Sequence, residues 1–226
     1  MVKIRTVVII ILAIIIGDQA LKIWVKTHMF YGEQINLLGR WLRLYFIENE
    51  GMAWGWKFGG DWGKLILTLF RLVAVIFGVF YIRSIVRKKY HRGFVICVAM
   101  IFAGALGNLI DSMFYGLIFS GSDDGAPLAT MFPPGGGYAG FLHGKVVDMV
   151  WAPIIENKVL PTWIPFWGGE RFTFFSPIFN IADASISVGV IAILLFQKRF
   201  FKKQPHEQHT TDRKSTRLNS SHPYRS

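Results

Sequence analysis

Four apolar runs, at about 6–25, 64–86, 93–115 and 177–197, constrain this chain more than anything else in it. Each approaches or exceeds the roughly 20 residues that carry a helix across a bilayer core. With 52% of the residues hydrophobic and gathered into those runs, a large soluble domain is set aside. The expected fold class is a membrane all-α protein with four transmembrane helices.

Orientation follows from charge. Lys3 and Arg5 precede the run Val7 to Ile16 in the manner of a secretory signal, but Asp18 stands where a cleavage site before Leu21 would need a small residue. The first helix is therefore read as uncleaved. Lys/Arg number two before it, five from Arg83 to Arg92 and four from Lys198 to Lys203, whereas 26–62 carries four bases balanced by four acids. The positive-inside rule then makes both termini cytoplasmic and turns the loops 26–62 and 116–176 outward. The net charge of +11 does not indicate nucleic acid, because residues 198–226 alone supply eight Lys/Arg against two acids. The single cysteine, Cys97, lies in the third run and is read as a small core hydrophobe, with no disulfide and no Cys-based metal site.

Residues 1–200 are expected to form one domain, and 201–226 a disordered basic tail. Arg213 to His222 resembles a translated adaptor sequence, so the tail is taken as partly non-native and carries no functional reading. Within 26–62, Leu42, Leu44 and Phe46 alternate with Arg43, Tyr45 and Ile47, a strand signal that adds a small extracytoplasmic β element. The Gly/Pro-rich stretch 121–140 is expected to be a mobile surface excursion.

The fourth run opens on Asn180, Asp183 and Ser187, a polar stripe if all three ride one helix. A carboxylate in a span costs about 2.5–3.5 kcal/mol and by default marks function. Under the topology above, Asp18, Asp111 and Asp183 share one depth near the outer face, whereas a proton path would favour a ladder of depths. Asp18 has Lys22 one turn later, so an i,i+4 pair that neutralises the acid competes with a site-shaping role. Gly104, Asn108, Asp111 and Ser112 share a face suited to close helix approach and interhelical hydrogen bonds. Arg71, in the second span, is expected to snorkel or to meet an acid. Val146 to Trp151 is a short apolar strand with Asp148 at its centre. His143 lacks a neighbouring histidine, so no metal is expected.

Two carboxylates a few ångströms apart share a proton, and one can then activate water while the other polarises a carbonyl. Asp148 and Asp183 are the candidate pair, and such chemistry calls for no cofactor. A small proton-coupled transporter using the same aspartates, and a scaffold in which they are interhelical glue, are the other readings.

Five motifs occur in order: an Asp late in the first span (Asp18), Asn49-x-Gly51-x-Ala53-x-Gly55, Gly104-Ala105-Leu106-Gly107-Asn108-Leu109-Ile110-Asp111, Val146-Val147-Asp148 and Phe179-Asn180-Ile181-Ala182-Asp183. Together, over about residues 5–200, they resemble lipoprotein signal peptidase, the bacterial signal peptidase II. The resemblance implies a membrane-embedded aspartyl endopeptidase that removes the signal peptide of diacylglyceryl-modified prolipoproteins before the lipidated cysteine. It implies a multi-pass protein of the bacterial cytoplasmic membrane with its site near the periplasmic face, acting on lipid-borne substrate; a monomer is expected, although the sequence does not fix oligomeric state. Asp148 and Asp183 then correspond to the catalytic dyad. Asn180 would orient it, and Asp18, Asn49, Gly51, Ala53, Asn108, Asp111 and Ala182 would shape or support the pocket. Two departures stand out. The family usually carries Arg after the Asp of its Gly-Asn motif, where this chain has Ser112, leaving Arg71 or Arg171 to supply that contact. The dyad spacing is also longer than usual, and the extra residues, Trp151 to Phe175, read as an enlarged lid or membrane-resting loop.

Overall fold

The computed structural model describes residues 2–39, 41–50, 60–153, 155–159, 161–163, 169, 171–174 and 177–201. Four helices dominate: α1 (Ile4–His28), α2 (Gly60–Arg87), α3 (Arg92–Ile118) and α4 (Ile181–Phe200). All four are long and apolar enough to cross a membrane. The run Val7 to Ile16 is dense in β-branched residues that would favour a strand in water. In hydrocarbon no solvent can satisfy an open edge, so the helix, which bonds every interior N–H within itself, is the form available. Side chains such as Ile16, Phe70, Phe77 and Leu195 stay exposed on the outer faces, as lipid contact requires.

Two sheets accompany the helices. Strands β1 (Gln34–Leu38) and β2 (Leu42–Asn49) form a hairpin, and β3 (Val146–Trp151) and β6 (Ile178–Phe179) extend it in the order β1-β2-β3-β6. The strand signal at Leu42 to Ile47 is thus correct, but the sheet also takes β3 from the second loop and β6 from the start of the fourth apolar run. Strands β4 (Ile155–Val159) and β5 (Arg171–Phe174) pair separately, within the segment expected to be a lid. In the larger sheet β3 is held on both edges, with Ile47 opposite Asp148 on one side and Phe179 opposite Val150 on the other. The sheet lies against the ends of α1 and α3 through a core of Val25, Met29, Phe46, Tyr115, Phe119 and Met149. A buried ion pair reinforces the joint. Lys26 of α1 binds Glu48 of β2 and donates to Ser122 Oγ at 2.9 Å.

The expected surface excursion at 121–140 proves to be part of a strap over the C-terminal end of α3. The last carbonyls of a helix lack intrahelical partners, and here loop N–H groups supply them. Gly144 donates to Ser112 O at 2.9 Å, Ala139 to Gly116 O at 3.0 Å and Phe132 to Ile118 O at 2.7 Å. A Cβ on Gly144 would stand 2.1 Å from Asp111 O, so only glycine lets the strap approach this closely. The tail from residue 202 onward lies outside the described residues.

Helices α3 and α4 meet where Gly104 faces the Ala182 carbonyl. A Cβ there would stand 2.2 Å from that oxygen, whereas one on Gly17 meets nothing within 4 Å. Gly104→Ala should therefore cost about 1–3 kcal/mol through overpacking, and Gly17→Ala should be neutral or stabilising by up to ~1 kcal/mol. Thermal unfolding in detergent would measure both.

Candidate active site

The polar residues of the helices are buried together at the sheet end of the bundle. Lys22 is fully buried, and an ammonium there needs three acceptors. It has them: Asp18 Oδ2 at 2.8 Å, Asp111 Oδ2 at 2.8 Å and Asn108 Oδ1 at 2.9 Å. The expected i,i+4 pair exists, but it is one arm of a junction between α1 and α3. Gln19 completes it. Its amide donates to Asp111 Oδ1 at 2.8 Å and Asp18 Oδ2 at 3.2 Å, and its carbonyl accepts from the Tyr115 hydroxyl at 3.1 Å. The backbone N–H of Ala182 donates to Asp18 Oδ1 at 2.9 Å, which brings in α4, and that of Val147 donates to Asp111 Oδ2 at 3.4 Å, which brings in β3.

Asp148 and Asp183 stand on this base. Asn180 links them. It precedes α4 as its N-cap, in extended conformation, so the stripe expected on one helix is instead a cap followed by a first turn. Its side-chain oxygen accepts from Asp183 N–H at 2.9 Å, and its amide donates to Asp148 Oδ1 at 2.7 Å and to Val147 O at 3.3 Å. One side chain therefore caps the helix that carries Asp183 and grips the strand that carries Asp148. Asn108 donates to Asp183 Oδ1 at 2.7 Å while accepting from Lys22. Asn49, at the end of β2, donates to Asp148 Oδ2 at 3.4 Å.

Burial pushes the Asp148 carboxyl up from its ordinary 3.8 to about 7, and the negative charge of Asp183 adds to this; the donors Asn49 and Asn180 and the charge of Lys22 oppose it. At neutral pH the protonated acid is thus a substantial fraction of Asp148, where an ordinary carboxyl would be almost fully ionised. Arg71 reaches the site from α2, donating from Nη1 to Ser112 Oγ at 3.3 Å, and its charge acts foremost on Asp183. The side chain of Arg171 lies outside the described residues. His143 directs Nδ1 to the Phe141 carbonyl at 2.9 Å.

The structure therefore gathers Asp148, Asp183, Asp18, Asn49, Asn108, Asp111, Asn180 and Ala182 at one place. Gly51 and Ala53 lie outside the described residues. Sequence reasoning missed Gln19 and Tyr115 and undervalued Lys22. The available signal was the close spacing of Asp18, Gln19 and Lys22, three polar residues within one turn of an apolar helix.

Comparisons with known proteins bear on this arrangement. A family model described as signal peptidase (SPase) II matches residues 10–199. A "Lipoprotein signal peptidase" of Porphyromonas gingivalis is 47% identical over 196 residues, 86% of this chain and 84% of its own length. One of Amoebophilus asiaticus is 35% identical over 202 residues, covering 88% and 79% respectively. A solved structure described as a bacterial membrane enzyme, obtained by the in meso method, superposes with a TM-score of 0.57 at 26% identity, covering 90% of this chain and 94% of that one.

Because the folded-state value of Asp148 is raised, its neutral form contributes stability that is fully present below about 3.8 and lost as pH rises through about 7. Infrared difference spectra should accordingly show a protonated carboxyl stretch that disappears near pH 7 and is absent from Asp148→Asn. Lys22→Met, which leaves two buried acids without their cation, should cost about 3–5 kcal/mol in thermal unfolding.

Proposed function

This chain belongs to the signal peptidase II family, and on that premise we propose that it cleaves the signal peptide from diacylglyceryl-modified prolipoproteins by a two-aspartate mechanism. The observation that carries the reading is the Asn180 bridge, which ties Asp148 and the first turn of α4 to one amide. The raised Asp148 carboxyl supplies the acid, and Asp183, accepting from Asn108, is the base.

In the proposed reaction Asp183 takes a proton from water as the water oxygen bonds to the scissile carbonyl carbon. Asp148 gives its proton to the carbonyl oxygen, which yields a gem-diol. Collapse breaks the C–N bond, with the proton on Asp183 passing to the departing nitrogen and a hydroxyl proton returning to Asp148. The pair ends as it began, and neither metal nor cofactor enters the scheme. The bond cut is the one before the lipidated cysteine. Small Ala184, next to Asp183, leaves room for the substrate backbone.

Asp18, Asp111 and Lys22 set the position of the pair without touching substrate, and Asn49 with the neighbouring Gly51 and Ala53 would line the substrate strand. Arg71 provides, from α2, the guanidinium that the residue after Asp111 does not. On this reading the enzyme acts as a monomer in the bacterial cytoplasmic membrane, with its site near the periplasmic face. Nothing favours a proton-coupled transporter, since the acids form one cluster and the family is one of peptidases.

Asp148→Asn and Asp183→Asn should each lower cleavage of a lipidated precursor by on the order of 10³-fold or more, with the folded protein still in the membrane. Substantial turnover in either variant would remove the dyad. Wild-type cleavage should decline as pH rises through about 7, where Asp148 loses its proton. Arg71→Gln should weaken cleavage, and adding Ser112→Arg to it should restore part of the loss; a double variant no better than the single one would deny Arg71 its role.

A further inference from the structure

Among the described residues, the end of the bundle away from the acids is rich in cations, with no acid in the helix segments that form it. Segments 2–17, 81–110 and 184–201 contain no Asp or Glu, yet they hold five Lys/Arg from Arg83 to Arg92 and two more at Lys198 and Arg199. Packing of Val7, Ile85, Phe94 and Phe200 brings the ends of all four helices together here. Lys198 and Arg199 suit the C-terminal end of α4, whose carbonyls attract cations. Arg92 has no such reason. It is the first residue of α3, adds to that helix's positive end, and no acid occupies the first turn.

Arg92 and Arg199 flank a groove of about 380 Å³ between the start of α3 and the end of α4, whose other walls are His91, Gly93, Phe196 and Phe200. The apolar part is ordered by packing. The His91 ring stacks on Phe200 with centroids 5.1 Å apart, Phe196 lies 6.0 Å from Phe200, and Gly93 admits the Phe200 ring where a Cβ would stand 2.6 Å from its edge. Both arginines are exposed. Cations thus adjoin an aromatic wall at the ends of membrane-crossing helices, and basic pockets so placed attract anionic headgroups.

We propose that this groove binds one anionic phospholipid, with Arg92 and Arg199 on its phosphate and Phe196 and Phe200 against its glycerol and upper acyl chains. The apolar wall joined to the cations favours a lipid over free phosphate, which would use the cations alone. The site is separate from the peptidase centre, since Arg92 and Asp111 lie about 28 Å apart along α3 at 1.5 Å per residue.

Native mass spectrometry of the full chain, released from micelles containing equal phosphatidylglycerol and phosphatidylcholine, tests the proposal. Wild type should retain phosphatidylglycerol several-fold over phosphatidylcholine. Arg92→Gln with Arg199→Gln should abolish the preference, while Lys88→Gln with Lys89→Gln, which removes equal charge outside the groove, should keep it. A preference that survives the first pair, or falls equally in both, overturns the proposal, as does displacement of the lipid by millimolar inorganic phosphate. Thermal unfolding should show all variants folded. If the Arg92/Arg199 pair is unstable, Arg199→Gln alone should still reduce the preference about half as far on a logarithmic scale.

Discussion

An ammonium group shut away from water must place three protons on protein oxygens, and the way Lys22 does so governs the site end of this molecule. Its acceptors come from α1 and α3, and each acceptor is engaged a second time. Asp18 also receives the Ala182 N–H of α4, Asp111 the Val147 N–H of β3, and Asn108 turns its amide to Asp183. One cation therefore sets the relative position of three helices and a strand. Loss of Lys22 would leave two carboxylates buried in a place that can neither solvate them nor repack around them, because Gly104 and Gly107 have already brought the backbones close.

The same economy of partners explains the loops. A helix that ends in or near lipid exposes carbonyls that water cannot reach, and the strap from Phe132 to Gly144 meets those of α3 with its own N–H groups. That strap leads directly into β3, so closing the helix end also delivers Asp148 into the sheet. On the far side, β6 runs into Asn180 and then α4, which delivers Asp183. The two acids arrive from strand and helix, and Asn180 closes the gap between them.

Much of the fold was legible because lipid is a strict solvent. Apolar length alone located four helices, and the balance of charge singled out a shared depth for Asp18, Asp111 and Asp183. Asp148 was legible as an acid with no reason to occupy an apolar strand. Gln19 and Tyr115 were not, since an amide beside a carboxylate and a tyrosine near a helix end are common surface features until packing buries them. The Gly-rich segment gave no sign of a helix partner because glycine signals freedom in a sequence, whereas here Gly137 permits close approach to the Gly116 carbonyl of α3. Asn180 was misplaced by one position in kind: periodicity could not distinguish the first helical residue from the cap before it, although Asn is a preferred cap.

The sequence by itself determined that the chain spans a membrane, which acids are costly enough to require partners, and that a strand carries one of them. Hydrophobic length and the cost of a buried charge are local properties and can be read along the chain. Only the tertiary structure decided which partner each acid takes, that Lys22 serves three acceptors, that Arg71 reaches Ser112 from another helix, and that a strand of the second loop and one from the fourth apolar run join the sheet of the first. Those outcomes depend on contacts between residues as many as 164 positions apart, such as Ala182 and Asp18, and no periodicity encodes which hydrogen-bond donor closes on which acceptor.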